Sequence, residues 1–444
     1  MSFFKLGRAK LPHYKNTAAM PPVAIQPPKT VTIPMSQHIG APANPVCAVG
    51  DTVYVGTLIG EASGFVSAHI HSSVSGTVKK IDQQLMANGK NGTVIVIEAD
   101  GLMTPDPDIK PPVIESFADL SAAARAAGLV GLGGAGFPTS VKLDPKRLDA
   151  LNTLVLNGAE CEPYITSDAR TMLDKAEDIR YGVELILRHS NIEDVYIGIE
   201  KNKPDCIAHL GKVFADMPMV KVVSLPDTYP QGAEKILIYN TTARVVPEGG
   251  LPADTGVLVM NVTTIAKLAD YAKTGMPLVE KCVTVDGSIV KEPKNLIVPV
   301  GTSVADVIEA VGGFTEEPGK VIFGGPMMGV AIYSLEYPVM KSCNAITVLN
   351  KKDAKKQYEN PCIHCGRCVA ICPMGLNPTV YAKALNVAEA EDRIQRYTDA
   401  KLNLCIECGS CSYVCPSNRP LVENNRLAKA ELREYTLAHK ADKK

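Results

Sequence analysis

Residues 362–373 read CIHCGRCVAICP and residues 405–416 read CIECGSCSYVCP. One spacing, CxxCxxCxxxCP, therefore occurs twice near the end of a 444-residue chain. A cubane cluster needs four thiolates converging on one small inorganic body, and a CxxCxxC loop supplies three of them from a single turn of backbone. In the two-cluster ferredoxin pattern the fourth cysteine of each run crosses to the other cluster. That rule gives one 4Fe–4S cluster Cys362, Cys365, Cys368 and Cys415, and gives the other Cys405, Cys408, Cys411 and Cys372. Pro373 and Pro416 turn the chain away after each crossing ligand, while Gly366 and Gly409 let backbone approach the sulfides closely. A pair of structural zinc sites is the competing reading. Zinc usually pairs two CxxC knuckles across a longer loop, so the three-plus-one spacing fits it poorly. Two clusters with crossed ligands lie close together and make a short path for single electrons.

The chain holds thirteen cysteines, an odd number, and its first residues, MSFFKLGRAK, contain no apolar run followed by a small-residue cleavage site. A disulfide framework is therefore not expected, and metal binding is. Lys and Arg number 46 against 47 Asp and Glu, and the only basic run is the weak tail HKADKK, so no nucleic-acid partner is expected. The longest nearly uncharged apolar stretch, VIFGGPMMGVAIYSL at 321–335, is Gly-rich and shorter than the ~20 residues that span a bilayer. A cytoplasmic chain able to dock on a membrane partner is the expectation.

Length allows several domains. Residues 1–110 open with a proline-rich, extended lead-in and continue as short β-like runs separated by Gly turns, including the pairs Asn88-Gly89 and Asn91-Gly92. Their shape resembles a barrel-sandwich module of the lipoyl or biotinyl kind, although no lysine is evident at a hairpin tip. Residues 111–275 alternate strand candidates (LNTLVLNG, EDVYIGIE, KVVSLPD) with helical stretches (ARTMLDKAEDIRYGVELILRHS, PDCIAHLGKVFADM), which predicts an α/β layer around a mainly parallel sheet. Residues 276–350 read as a small strand-rich module with one helix. Past Asn350 strand signals vanish, and 351–444 read as a helical domain carrying the two cassettes.

Residues 128–143, GLVGLGGAGFPTSVKL, contain GxGxxG at Gly131, Gly133 and Gly136. The dinucleotide fingerprint needs a strand directly before the glycines and a helix directly after. Here the helical SFADLSAAARAAG comes before and Pro138 interrupts the residues after, so that context fails. Consecutive glycines still expose backbone N–H groups to a flat ligand or a phosphate, and Lys142 can add a point charge; a packing turn is the alternative.

GLGGAGFPTSVK resembles the flavin loop of the NADH-binding flavoprotein subunit of respiratory complex I and its relatives in hydrogenases and the Rnf complex. NGAECEP at 157–163, YPQGAE at 229–234 and NVTT at 261–264 continue the resemblance in order. It covers about 110–430, with the strand-rich module similar to the family's soluble-ligand-binding β-grasp domain. The complex I subunit carries one cluster. Two cassettes and an N-terminal β-domain are similar to the RnfC family of Rnf electron-transfer complexes, whereas the related cobalamin reductase has its flavin loop near the N-terminus. The resemblance implies FMN held by Gly131, Gly133, Lys142, Asn157, Glu160, Tyr229, Glu234, Asn261 and Thr263. It implies nicotinamide contacts from Gly134, Phe137 and Glu162. Ala159 stands where the complex I motif has aspartate, and Ala233 and Glu234 stand where it has paired glutamates.

NADH yields two electrons together and each cluster takes one, so a flavin between them explains why loop and cassettes share a chain. By resemblance the chain belongs in a ferredoxin:NAD+ oxidoreductase, peripheral on the cytoplasmic side of the membrane. Its partners would be ferredoxin-like and membrane-spanning subunits that couple electron flow to ion translocation, with ferredoxin itself met indirectly. A soluble reductase serving cobalamin or a hydrogenase, and a zinc-stapled scaffold without redox activity, are the alternatives. Outside these motifs, His69 and His71 sit two apart on a strand candidate with no third ligand in view. Cys161 reads as an inert buried thiol and Met327 and Met328 as core filling, while His364 and Glu407 share one cassette position.

Overall fold

Apolar strands alternating with amphipathic helices between residues 111 and 275 build the layered sheet that such alternation demands. The computed structural model describes residues 7–87 and 89–441. Its four parallel strands lie in the order Val220–Leu225, Asp194–Glu200, Thr153–Gly158, Val257–Asn261. Val257–Asn261 is a strand beyond the three expected, and its position matters most. In chain order the sheet runs third, second, first, fourth, so the direction of winding reverses between Thr153–Gly158 and Val257–Asn261. At such a point the flanking loops splay apart and leave a crevice at the carboxyl ends of the strands. Asn157 and Asn261, paired in register, flank it. The single long helix expected at 169–190 is two, Ser167–Asp174 and Ala176–Arg188. The break lets the first turn Asp168 toward Asn261 while the second packs beside the Val262–Thr274 helix, where Lys273 meets Asp178 at 2.9 Å.

Two sheets form the N-terminal barrel sandwich: Thr30–Pro34, Asn91–Ala99, Gly76–Leu85 and Thr52–Val53, then Asn44–Pro45, Leu58–Glu61 and Ile70–His71. Val31, Ile33, Ile59, Ile70, Ile95 and Ile97 are its fully buried core. The Asn91-Gly92 pair does not turn the chain. It begins the Asn91–Ala99 strand opposite Gln84 and Leu85, and the turn falls earlier, closed by the Met86 N–H on the Lys90 carbonyl at 2.9 Å. Asn88 of the other pair lies outside the described residues, as do residues 1–6 and 442–444. That register places Lys90 in the hairpin turn, contrary to the expectation of no lysine there.

Prolines keep the lead-in extended; up to Ala24 it straps other modules, and from Thr30 it joins the barrel. Ala9 bridges to Tyr229, the Lys15 ammonium donates to the carbonyls of Glu160, Glu162 and Ile165 at 2.6–2.8 Å, and Val23–Ala24 adds an edge strand beside Lys294–Pro299. The six-stranded sheet so extended, with the Val304–Ala310 helix, forms the strand-rich module. Past Asn350 the described residues are helical or irregular. Pro378–Ala384 and Ala390–Asp399 are separate helices, packed on Leu421–Ala441 around buried Tyr381 and Tyr397. No described helix is long and apolar enough to cross a membrane.

Lys341 joins three of these modules from the inside. It is buried, and its Nζ donates to the carbonyls of His69 (2.6 Å) and Gly128 (2.7 Å) while its N–H reaches Gln37 Oε1 at 3.0 Å. Burial pushes its pKa down to about 7 from 10.5. Between those values the unfolded chain binds a proton that the folded chain does not, so stability rises with pH, by at most about 1.4 kcal/mol per pH unit for this group. Lys341→Met is expected to flatten that slope, which thermal midpoints of variant and wild type at pH 7 and pH 9 will measure.

Candidate functional site

A lobe of glycines leans over the crevice between the reversed strands. Val130 and Pro138 bridge its base, the Gly131 N–H bonds the Phe137 carbonyl at 2.8 Å, and Leu132 donates to Thr264 Oγ1 at 2.9 Å. Pro138, which denies the glycines the context of a dinucleotide fingerprint, closes this lobe before the Thr139–Lys142 helix. Any side chain at Gly133 would meet Asn261 Nδ2 at 2.9 Å, so glycine is needed for the approach. Gly134, at φ +106°, faces open space, which leaves bare backbone at the crevice mouth. Beneath the lobe, buried Lys281 donates to the Leu132 carbonyl at 2.5 Å.

Lys142, Asn157, Glu234 and Asn261 line the crevice in one contiguous set. Lys142 Nζ meets Glu234 Oε1 at 2.8 Å and the Val259 carbonyl at 3.1 Å, which leaves one of its three N–H donors for a ligand. Asn157 Nδ2 donates to the Gly232 carbonyl at 3.0 Å, holding the YPQGAE loop to the sheet. Asn261 caps the Val262–Thr274 helix through Oδ1 and donates Nδ2 to Asp168 Oδ2 at 2.7 Å. Thr263 Oγ1 donates to Asp168 Oδ1 at 2.6 Å. Asp168, absent from the sequence expectation, thus orients two of its residues.

Glu160 and Glu162 take unexpected directions. The buried Glu160 carboxylate accepts the N–H of Asp168 at 2.7 Å, capping the Ser167–Asp174 helix, and burial raises its pKa. Behind it stand Lys203 and Glu200, a buried ion pair at 2.6 Å. Burial opposes the Lys203 charge, but Glu200 and Glu160 outweigh it and hold its pKa above the usual value. Glu162 accepts the N–H groups of Met327 (3.0 Å) and Met328 (2.7 Å), and burial lifts it to about 6. Met327 packs into an apolar junction, but Met328 is exposed, so core filling describes only the first.

That junction joins the crevice to the cassettes. Ala9, Leu11, Tyr229 and Cys408 are buried together, with Cys161, Met327 and Ile406 against them. Buried Tyr229 donates its hydroxyl to the Cys408 carbonyl at 2.7 Å. A side chain at Gly409 would strike the Met327 carbonyl at 2.8 Å. Cys161, expected to be a buried thiol, is half-buried, and desolvation pushes its pKa up to about 12, away from the reactive thiolate.

The two cassettes repeat in conformation as well as spacing. His364 and Glu407 share φ of +55°, each followed two residues later by a left-handed glycine and a short helix, Arg367–Ala370 or Ser410–Tyr413. Their thiols line two pockets. Cys372, Cys405, Cys408 and Cys411 line one, and Cys362, Cys365, Cys368 and Cys415 line the other. Each pocket thus takes three thiols from one cassette and the crossing thiol of the other, the donor set a four-iron body requires. Among the described residues no three His, Cys, Asp or Glu side chains close around a single ion, and His69 and His71 stay a pair, edge to face at 6.4 Å.

Four family models match along the chain: RnfC Barrel sandwich hybrid domain over 4–102, Nuo51 FMN-binding domain over 124–270, SLBB domain over 282–331 and 4Fe-4S dicluster domain over 361–419. The chain is 45% identical over 386 residues to the C subunit of the Na(+)-translocating ferredoxin:NAD(+) oxidoreductase complex of Acetobacterium woodii, covering 86% of each. It is 45% identical over 372 residues to the C subunit of the proton-translocating ferredoxin:NAD(+) oxidoreductase complex of Clostridium ljungdahlii, covering 82% of this chain and 81% of that one. With the C subunit of the ion-translocating oxidoreductase complex of Rhodobacter capsulatus it shares 39% identity over 414 residues, or 92% and 79% of the two chains.

Proposed function

The chain belongs to the RnfC family, the C subunits of ion-translocating ferredoxin:NAD(+) oxidoreductase complexes, and from that premise we propose that it exchanges electron pairs with NAD(H) at FMN and passes single electrons through two 4Fe–4S clusters to its partners. FMN, when bound, supplies the conversion between paired and single electrons, and the clusters carry one each. The crevice fits such a ligand: the bare Gly134 backbone admits a flat ring, and Lys142 offers a free N–H to a phosphate. In this reading Gly131, Gly133, Lys142, Asn157 and Asn261 hold FMN directly, and Glu160 and Thr263 position them through Asp168. Gly134 and Phe137 face the nicotinamide, while Glu162 braces the Met327–Met328 turn beside it.

The observation that carries the reading is the Tyr229 hydrogen bond to Cys408. It ties the crevice half of the chain to the pocket of Cys372, Cys405, Cys408 and Cys411, which makes that cluster the flavin-side one. The other pocket opens outward, with Cys365 exposed and Ile363 66% exposed at its rim, and is where electrons pass to or from a partner. We place the chain peripherally on the cytoplasmic side of the membrane, with ion translocation in partner subunits and ferredoxin met through them. This makes it the NAD-linked oxidoreductase subunit of a translocase.

Protein prepared anaerobically and loaded with FMN, iron and sulfide tests this directly. NADH is expected to bleach the yellow absorbance and then the brown; a sample without iron, or one that NADH leaves coloured, would sink the reading. Lys142→Met should weaken FMN binding about tenfold or more, the loss of one charge-assisted hydrogen bond, as measured by fluorescence titration of the flavin.

A further inference from the structure

Asn425 lies one turn into the Leu421–Ala441 helix, 2% exposed, and lines the flavin-side cluster pocket. Its Nδ2 stands 3.4 Å from Cys405 Sγ, while its Oδ1 is buried without a partner. An unpaired buried acceptor is costly, and the Cys405 sulfur is the contact that the other end of this carboxamide makes. The same helix face supports the same loop. Lys429 Nζ donates to the Cys405 carbonyl at 2.9 Å and to Glu407 Oε1 at 2.5 Å, and Arg426 reaches Glu407 Oε2 at 3.4 Å. Cys405 is thereby fixed in front of the amide. The amide lining the outer pocket, Asn377, instead turns its oxygen back onto its own helix, accepting from Thr379 N–H and Oγ1.

A cluster gains one negative charge on reduction, and a donor aimed at a ligating sulfur favours the more negative state. We propose that Asn425 is a positioning residue that raises the reduction potential of the cluster held by Cys372, Cys405, Cys408 and Cys411 and leaves the outer cluster's potential unchanged. The proposal rests on the two-cluster reading above. It makes the first step away from the flavin more favourable than cassette spacing alone would set.

The test is a potentiometric titration of the full-length, cluster-loaded protein followed by electron paramagnetic resonance, for wild type, Asn425→Leu and Asn425→Gln. In Asn425→Leu, which removes the donor at similar volume, one of the two cluster signals should move to lower potential by about a tenfold change in its oxidised-to-reduced ratio, roughly 59 mV for one electron. The other signal should stay in place, and Asn425→Gln, which retains an amide donor, should shift less. Two full-intensity signals that stay put, or that shift together, would overturn the proposal. Loss of one cluster in both variants would overturn it in favour of a purely structural role. A wild type without cluster signals would overturn the two-cluster reading itself, and this proposal with it.

Discussion

Cys372→Ala is expected to lose about half of the bound iron and to cut delivery of electrons past the flavin to background, while NADH still bleaches the flavin. Cys372 belongs by position to the first cassette, yet it lines the pocket of Cys405, Cys408 and Cys411. Removing it therefore strikes the cluster that Tyr229 ties to the crevice. Cys415→Ala makes the complementary break: it too should lose about half of the iron, but from the outer pocket. In that variant NADH should still reduce the remaining cluster. Iron analysis together with the visible spectrum after NADH addition distinguishes the two, and the reverse pattern would show that the ligands do not cross.

Lys203→Met should cost about 3–5 kcal/mol of stability, because it leaves Glu200 charged and unpaired where water cannot reach. Glu200 is 2% exposed, and Lys203 also reaches the Glu160 carbonyl at 3.3 Å, so the damage extends toward the crevice. Retained flavin should fall along with the thermal midpoint. A double change, Lys203→Met with Glu200→Leu, should recover much of the loss, since an apolar pair can replace a buried ion pair at little cost. Equal midpoints for the single variant and wild type would contradict this account of the network. The pair sits three residues apart in the chain, so sequence makes its proximity plausible but not its burial. Glu160, whose carboxylate caps the helix that presents Asp168, lies forty residues before it.

Some features were legible because their geometry is local. CxxCxxC gathers three thiols within one loop, and the matching φ values of His364 and Glu407 and of Gly366 and Gly409 follow from repeating the same short text. The strand and helix periods of the α/β half are equally local, which is why Thr153–Gly158 and Asp194–Glu200 are visible in advance. Its fourth strand, VLVMN, is a short apolar run with no alternation to mark it, and its parallel partner lies a hundred residues earlier. The lead-in is harder still. Its prolines announce an extended segment, but an extended segment takes its partners from whatever surface it crosses.

By itself the sequence predicted which thiols share a pocket, three from one cassette with a fourth from the other, because spacing along a backbone limits which thiols can converge. Tertiary structure alone decided which thiol pocket stands beside the crevice, that Glu162 grips a turn at Met327–Met328, and that Asp168 orients Asn261 and Thr263. Those pairings join residues 93 to 179 positions apart, and only the packing of the chain's elements against one another brings them within hydrogen-bond reach.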